Sequence, residues 1–301
     1  MRPLRTLLFA PGNRERFLAK VGKAGADAVI LDLEDAVPLK EKEATRRALP
    51  EAVGRIAGED GAAVFVRVNP LADVTGFSAA CGAEDIGALV RPPLAGIVLP
   101  KVEGPEQVLV ADRLLREGEG KRGMAPEGVA LIALVENARG VERADAIAAA
   151  GVGGRPFLLA FGAGDYTNDL GIEWPRDEFS LDYPRARVAA ASRAGGRGRP
   201  VDTVWVRLED EEGLIASAER ARALGMFGKL CIHPKQVGPV NEVFTPTEGE
   251  AARAREVAAA FEAAAARGEA SVTVDGRMVD YPIVDAARKT LALVEAVGTK
   301  G

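Results

Sequence analysis

The sequence predicts a (β/α)8 TIM barrel with a C-terminal helical and hairpin extension. Three observations carry this: eight short apolar runs, a helical pattern after each of them, and a change of pattern past Pro239. Short runs alternating with longer amphipathic stretches mark βα units on a parallel sheet. Eight such units close a barrel, whereas an open doubly wound sheet more often stops sooner. No G-x-G-x-x-G opens the first βα turn, so the dinucleotide-binding fingerprint of the open sheet is missing.

The strand runs fall at Thr6–Ala10, Ala28–Leu33, Ala63–Val68, Gly96–Pro100, Val129–Val135, Phe157–Phe161, Thr203–Val206 and Lys229–Ile232. After the first, Asn13 stands where it would cap a helix through about Ala24, with Gly25 just past its end. Further helical patterns follow Glu41, Glu84, Pro105, Val141, Pro184 and Glu211. Beyond the barrel, an Ala-rich helix is expected from about Pro246 to Arg267, then a hairpin over Ser271–Val279 turning at Asp275-Gly276. A last helix starts near Pro282, where proline suits the first helical position. The barrel is therefore expected over residues 1–240, and the surplus over 241–301 as a lid or subunit-contact element.

Composition sets limits on function. With 301 residues, 48% of them hydrophobic, the chain can bury a large core. A net charge of −5 argues against nucleic-acid binding, which needs a basic footprint. Cys81 and Cys231 offer neither a metal pair nor a disulfide framework, which suits a reducing compartment. The apolar run Leu7–Ala10 ends at Pro11-Gly12, too short for a secretory core or a membrane span, so a cytoplasmic protein off the membrane is expected.

In such barrels the chemistry sits where the strands end. Those ends read Asp32-Leu33-Glu34-Asp35, Arg67-Val68-Asn69-Pro70, Lys101, Glu136-Asn137, Gly162-Ala163-Gly164-Asp165 and His233. Carboxylates converging on one rim repel one another unless a cation lies among them. Oxygen donors without Cys or His neighbours favour magnesium, or manganese, over zinc. Glu136 and Asp165, from adjacent strands, are the first choice of ligands, with Asp32, Glu34 and Asp35 behind them holding metal-bound waters. Each has a plainer alternative: Glu136 and Asp165 as solvated or capping carboxylates, Asp32 to Asp35 as caps of the next turn, Arg67 as an ion pair rather than an anion clamp, Lys101 as a solvated side chain. His233 beside Pro234 suits a structural hydrogen bond. Arg14, Arg16, Lys20 and Lys23 make the first helix basic, either a phosphate site or a solvated face.

Taken together, Arg5–Asn13, Asp32–Val37, Arg67–Pro70, Leu99–Lys101, Val135-Glu136, Phe161–Asp165 with Asp169–Gly171, Gly228–Pro234 and Arg277–Asp280 resemble the citrate lyase β-subunit-like members of the HpcH/HpaI aldolase superfamily, which include malyl-CoA and citramalyl-CoA lyases. These segments span nearly the whole chain, and their order and spacing are more specific than any one of them. The resemblance implies a homotrimer or hexamer acting on acyl-CoA or acyl-carrier thioesters and 2-oxo acids. It implies magnesium on Glu136 and Asp165, with Arg67 and Glu136 against substrate. The Thr6–Arg14 segment, notably Thr6, Pro11 and Arg14, together with Lys20, would meet coenzyme A. Asp280 would be the acid/base residue, delivered from a neighbouring subunit; its place before Tyr281-Pro282 also suits a helix cap. Thr6 stands where many relatives have Ser. Competing readings are a β subunit working only within a citrate lyase complex and a CoA-independent pyruvate aldolase.

Overall fold

The computed structural model describes residues 3–71 and 81–298. Met1, Arg2 and the last three residues of the expected extension lie outside them. Two compact units form, one over Leu4–Asn241 and one from Glu242 onward.

The first unit is built on parallel strands β1 (Thr6–Pro11), β2 (Ala28–Asp32), β3 (Ala63–Arg67), β4 (Gly96–Leu99), β5 (Ala130–Val135), β6 (Phe157–Phe161) and β7 (Lys229–Cys231). They line up in the order β6-β5-β4-β3-β2-β1-β7. The ring closes through single parallel bridges, Ala160 to Val201 on one side and Asp202 to Lys229 on the other. The wall expected over Thr203–Val206 thus sits two residues earlier and is only bridge-deep. Gly198 to Pro200 lead directly into it, and Thr203 onward already turns away to the next helix. Around the ring run α1 (Glu15–Val21), α2 (Lys42–Asp60), α3 (Gly82–Leu89), α4 (Pro105–Lys121), α5 (Ala138–Glu142), α6 (Ala144–Ala148), α7 (Ala163–Leu170), α8 (Asp182–Ala194), α9 (Glu211–Ala223) and α10 (Val237–Phe244).

Both faces of these strands are covered, which is why they read as continuous apolar runs instead of alternating ones. The inward set is Leu7, Ala28, Ile30, Phe65, Val98, Ala130, Ile132, Leu134, Ala160, Val201 and Leu230, which pack together inside the ring. Side chains on a strand alternate between faces with a period of two. Asp32 follows Ile30 by two, Arg67 follows Phe65, and Glu136 follows Leu134, so the same period that fills the barrel turns these groups into its mouth. Register adds to this, because Pro11 pairs with Asp32 and Asp32 with Arg67 across β1, β2 and β3.

Asn13 does not cap the first helix. Its side-chain amide donates to Glu41 at 2.7 Å, and α1 begins one residue past Arg14. Gly12 is instead the constrained position: its N–H bonds the Asp32 carbonyl at 2.8 Å, and a Cβ there would lie 2.6 Å from that oxygen. Only glycine lets the β1 turn approach β2 this closely.

In the second unit, α11 (Glu248–Ala266) is opened by a capping box in which Thr247 and Glu250 satisfy each other's N–H groups. The hairpin strands β8 (Val272–Val274) and β9 (Arg277–Val279) meet through Asp275 (φ 49°) and Gly276 (φ 72°), the left-handed pair that a tight two-residue turn requires. With α12 (Tyr281–Val297) they bury Val257, Phe261, Val274, Val279 and Val284. No helix among the described residues is long and apolar enough to cross a membrane.

Candidate active site

The barrel mouth holds a connected set of charges. Arg67, at the end of β3, grips Asp32 at the end of β2 with two parallel bonds, Nε to Oδ1 at 2.7 Å and Nη2 to Oδ2 at 2.6 Å. Its remaining nitrogen, Nη1, lies 2.9 Å from Glu34 and 3.5 Å from Asp35. The guanidinium also stacks 5.1 Å over the Phe9 ring. Lys101 continues the chain of charge: its ammonium pairs with Glu34, reaches Asp35 at 3.4 Å, and stands 4.0 Å from Asp165. The Lys101 backbone N–H donates to Glu136 Oε1 at 2.7 Å.

The electrostatics follow from burial and company. Glu136 is 3% exposed, and its carboxyl is pushed far above the usual range by burial first, then by the charges of Glu34 and Asp165. Burial likewise pushes Glu34 up to about 7, with Asp35 adding to the rise and Arg67 and Lys101 opposing it. Asp32 goes the other way: burial raises it, but the fork of Arg67 and the N–H groups of Glu34 and Ala36 outweigh burial and hold it below the ordinary value. Asp165 is the accessible member, its side chain 41% exposed.

Local structure fixes these positions. Asp165 sits in the first turn of α7, set by a bond from Ala163 N–H to the Thr203 hydroxyl at 2.8 Å. Gly162 leaves the room that Glu136 occupies, for a Cβ there would fall 2.7 Å from both the Glu136 Cβ and Oε2. Lys101 takes a left-handed backbone (φ 52°), and Gln107 braces that turn by donating to the Lys101 carbonyl at 3.1 Å while accepting from Glu103 N–H at 2.7 Å. Below Glu34, Lys42 donates to the carbonyls of Leu33 and Glu34, and Asn69 ties Leu33 to the buried Asp85.

The structure therefore gathers Asp32, Glu34, Asp35, Arg67, Lys101, Glu136 and Asp165 at one mouth. Several expectations change in detail. Asp32 is bound by Arg67 and accepts from the N–H groups of Glu34 and Ala36 in the turn it caps. Arg67 stands within ion-pair distance of Asp32, Glu34 and Asp35. Thr6 is not at the mouth: it opens β1 at the opposite end, is fully buried, and its hydroxyl donates to Asn241 at 2.8 Å and accepts from Asp27 N–H at 3.2 Å. Pro11 closes β1 at the mouth, while Arg14 and Lys20 are exposed at the two ends of α1. That helix is only seven residues long and carries Glu15 in its first turn, so it is a poor phosphate cradle by its own dipole. Asp280 lies in the second unit, where it accepts from Ile283 N–H at 3.4 Å and caps α12. His233 accepts from Lys235 N–H at 3.2 Å, a structural role.

Sequence reasoning undervalued Lys101 and missed the bracing groups Gln107, Lys42 and Thr203. The position of Lys101 at a strand end was the available signal. Its left-handed turn, which brings an out-of-phase residue into the mouth, was not readable.

A divalent cation fits this donor set. Five carboxylates share the mouth with two cations, Arg67 and Lys101, and among the described residues Glu136 Oε2 and the half-exposed Asp165 meet no ion pair closer than the 4.0 Å from Asp165 to Lys101. Among the described residues no group of three or more His, Cys, Asp or Glu is placed to hold a metal ion. Two carboxylates with water and substrate completing the shell is how magnesium, as opposed to zinc, is usually held.

Comparison with known proteins agrees with this architecture. The chain is 40% identical over 293 residues to a citrate lyase subunit beta-like protein of Deinococcus radiodurans, covering 96% of each. It is 32% identical over 316 residues to an L-malyl-CoA/beta-methylmalyl-CoA lyase of Cereibacter sphaeroides, covering 98% of this chain and 96% of that one. Among solved structures, the protein CitE from Mycobacterium tuberculosis, in complex with magnesium, acetoacetate and coenzyme A, superposes with a TM-score of 0.72 at 32% identity, covering 98% of each chain. The HpcH/HpaI aldolase/citrate lyase family model matches residues 5–234, the span of β1 to β7 and the whole charged mouth; the chain belongs to that family and is a lyase.

Proposed function

We propose that this chain is a magnesium-dependent carbon–carbon lyase that cleaves, or in reverse forms, a 3-hydroxyacyl-CoA such as malyl-CoA or citramalyl-CoA, giving an acyl-CoA and a 2-oxo acid. The observation that carries the reading is the surplus of carboxylate over cation at the mouth, with Glu136 and Glu34 buried and Asp165 open to solvent, which calls for a hard cation. Glu136 and Asp165 would hold it, and when bound it supplies Lewis-acid polarisation of the substrate's β-oxygen and carboxylate.

The chain's own groups do the rest. As the bond between the α and β carbons breaks, the β-hydroxyl passes its proton to solvent water and becomes the oxo group, and the electron pair of the broken bond passes to the thioester as its enolate. Arg67, immobilised by Asp32, places fixed positive charge beside that developing negative charge at no cost in reorganisation. Asp280 returns a proton to the α carbon in cleavage and removes it in condensation. A monomer's second unit need not be the donor; a homotrimer or hexamer would let a neighbouring copy supply it. The exposed Arg14 and Lys20, with Pro11, are the groups proposed to meet the coenzyme A phosphates. A second reading, cleavage of a citryl thioester as the β subunit of a citrate lyase complex, is favoured by the 40% identity to a citrate lyase subunit beta-like protein.

Incubating the isolated protein with magnesium and malyl-CoA or citramalyl-CoA, while reading free thiol and 2-oxo acid separately, tests this. We expect 2-oxo acid without free thiol; free thiol in equal amount would add a hydrolytic step, and release of neither would leave the complex-bound reading. Asp165→Ala should lower cleavage by on the order of 100-fold with the fold intact. Undiminished magnesium-dependent cleavage in that variant would remove the ligand set.

A further inference from the structure

The placement of Lys101 is not explained by any role given so far. Three independent features converge on it. It adopts a left-handed backbone that non-glycine residues avoid, a conformation kept only where the surroundings enforce it. Its N–H is spent on Glu136, at 2.7 Å. Its ammonium, 14% exposed, pairs with Glu34 and Asp35 and stands 4.0 Å from Asp165. One residue thus touches both carboxylates of the proposed metal site, one through its backbone and the other through its charge.

We propose that Lys101 is a positioning residue that acts as the mouth's resident counter-ion: its ammonium occupies the acidic mouth until a divalent cation enters, while its backbone keeps Glu136 aimed for that cation. This rests on the metal site proposed above. An ammonium has three N–H groups. Glu34 and Asp35 take two, and Asp165 at 4.0 Å lies beyond hydrogen-bond distance, so the attraction to Asp165 is one of charge alone and is readily given up. A divalent ion between Glu136 and Asp165 would repel Lys101 and release it from Asp165. The third N–H, no longer drawn toward Asp165, then faces the mouth as a donor for the carboxylate of an incoming 2-oxo acid. Arg67 cannot take this part, since its nitrogens are already committed to Asp32, Glu34 and Asp35. Metal entry and exposure of an anion site become a single event, and the free enzyme is kept from binding metal too tightly in the absence of substrate.

The two roles of Lys101 separate by substitution. Lys101→Met removes the charge and keeps the side-chain length, Lys101→Arg keeps the charge, and Lys101→Gly removes the side chain while favouring the left-handed backbone that holds Glu136. Manganese titrated calorimetrically into each protein without substrate, with thermal melts in chelator as the check on folding, gives a readout apart from activity. We expect Lys101→Met and Lys101→Gly to bind manganese about tenfold more tightly than the parent, which corresponds to about 1.4 kcal/mol, and Lys101→Arg to bind it about as the parent does. With manganese saturating, glyoxylate or pyruvate should bind at least about tenfold more weakly to the Met and Gly variants. Unchanged or weaker manganese binding in the variant that stays folded would overturn the inference, as would unchanged oxo-acid binding. Absence of manganese binding by the parent protein would instead overturn the metal site itself.

Discussion

Glu136 shows what it costs in stability to bury one carboxyl among other acids. Burial, Glu34 and Asp165 all disfavour its charged form, so its folded value lies above the ordinary 4.5. For such a group the folded state binds more protons than the unfolded one. The stability it confers is present at acid pH and is lost as pH rises from the unfolded value through the folded one. Glu136→Gln keeps an oxygen to accept the Lys101 N–H and removes the charge. The metal-free variant should therefore be about 1–3 kcal/mol more stable than the parent at neutral pH. Magnesium should raise the melting temperature of the parent and leave that of the variant unmoved. Thermal melts with chelator and with magnesium check both statements. Asp32, Arg67 and Glu136 were legible in the sequence because they stand at strand ends in the inward phase of the period of two, and Asp165 because it follows β6 in the turn that opens α7. What Asp32 and Arg67 do to each other was not, since the register that puts them side by side belongs to pairing between strands that no single segment encodes.

Among the elements, the short wall over Val201 and Asp202 depends on side chains more than on its ladder. Asp202, fully buried, accepts from Arg185 of α8 at 2.8 Å and from Lys229 of β7 at 2.6 Å, and Ser217 of α9 joins Lys229 at 2.9 Å. Burial raises the Asp202 carboxyl, but Arg185 and Lys229 outweigh it and hold the group below its ordinary value of 3.8. A depressed acid contributes stability above its unfolded value and loses it as pH falls through the folded one. Asp202→Asn should cost about 3–5 kcal/mol at neutral pH, because the buried Lys229 is left with only the Ser217 hydroxyl and Arg185 keeps Glu178 alone of its two carboxylates. Its stability should also change less than the parent's below about pH 4; urea melts at neutral and acid pH measure both. This wall is also where the sequence misled. Thr203–Val206 has the β-branched look of a strand, while the true bridging pair includes a charged residue that only a buried arginine and lysine make tolerable. Elsewhere the apolar runs were reliable, since strands covered on both faces leave an unbroken apolar signature.

For the molecule as a whole, the second unit supplies the one proposed acid/base group, Asp280, and in this chain that group caps α12. If a neighbouring copy delivers it, each complete site draws on two chains. Mixing Asp280→Asn with Arg67→Ala should then recover part of the activity, up to about a quarter of the parent in a fully scrambled assembly whose sites each join two chains at random. Recovery of none, with both variants folded and assembled, would confine Asp280 to capping. The pattern change past Pro239 falls close to the division between Asn241 and Glu242, whereas any pairing of copies leaves no periodic trace in one chain.

The bridge-deep closure has a further consequence. Val201 and Asp202 are the thinnest stave of the ring, and Thr203, the next residue, anchors the first turn of α7 through the Ala163 N–H. Any breathing of the ring at that stave loosens the turn that carries Asp165, so amide protection of Val201 and the affinity of the proposed metal site should weaken together.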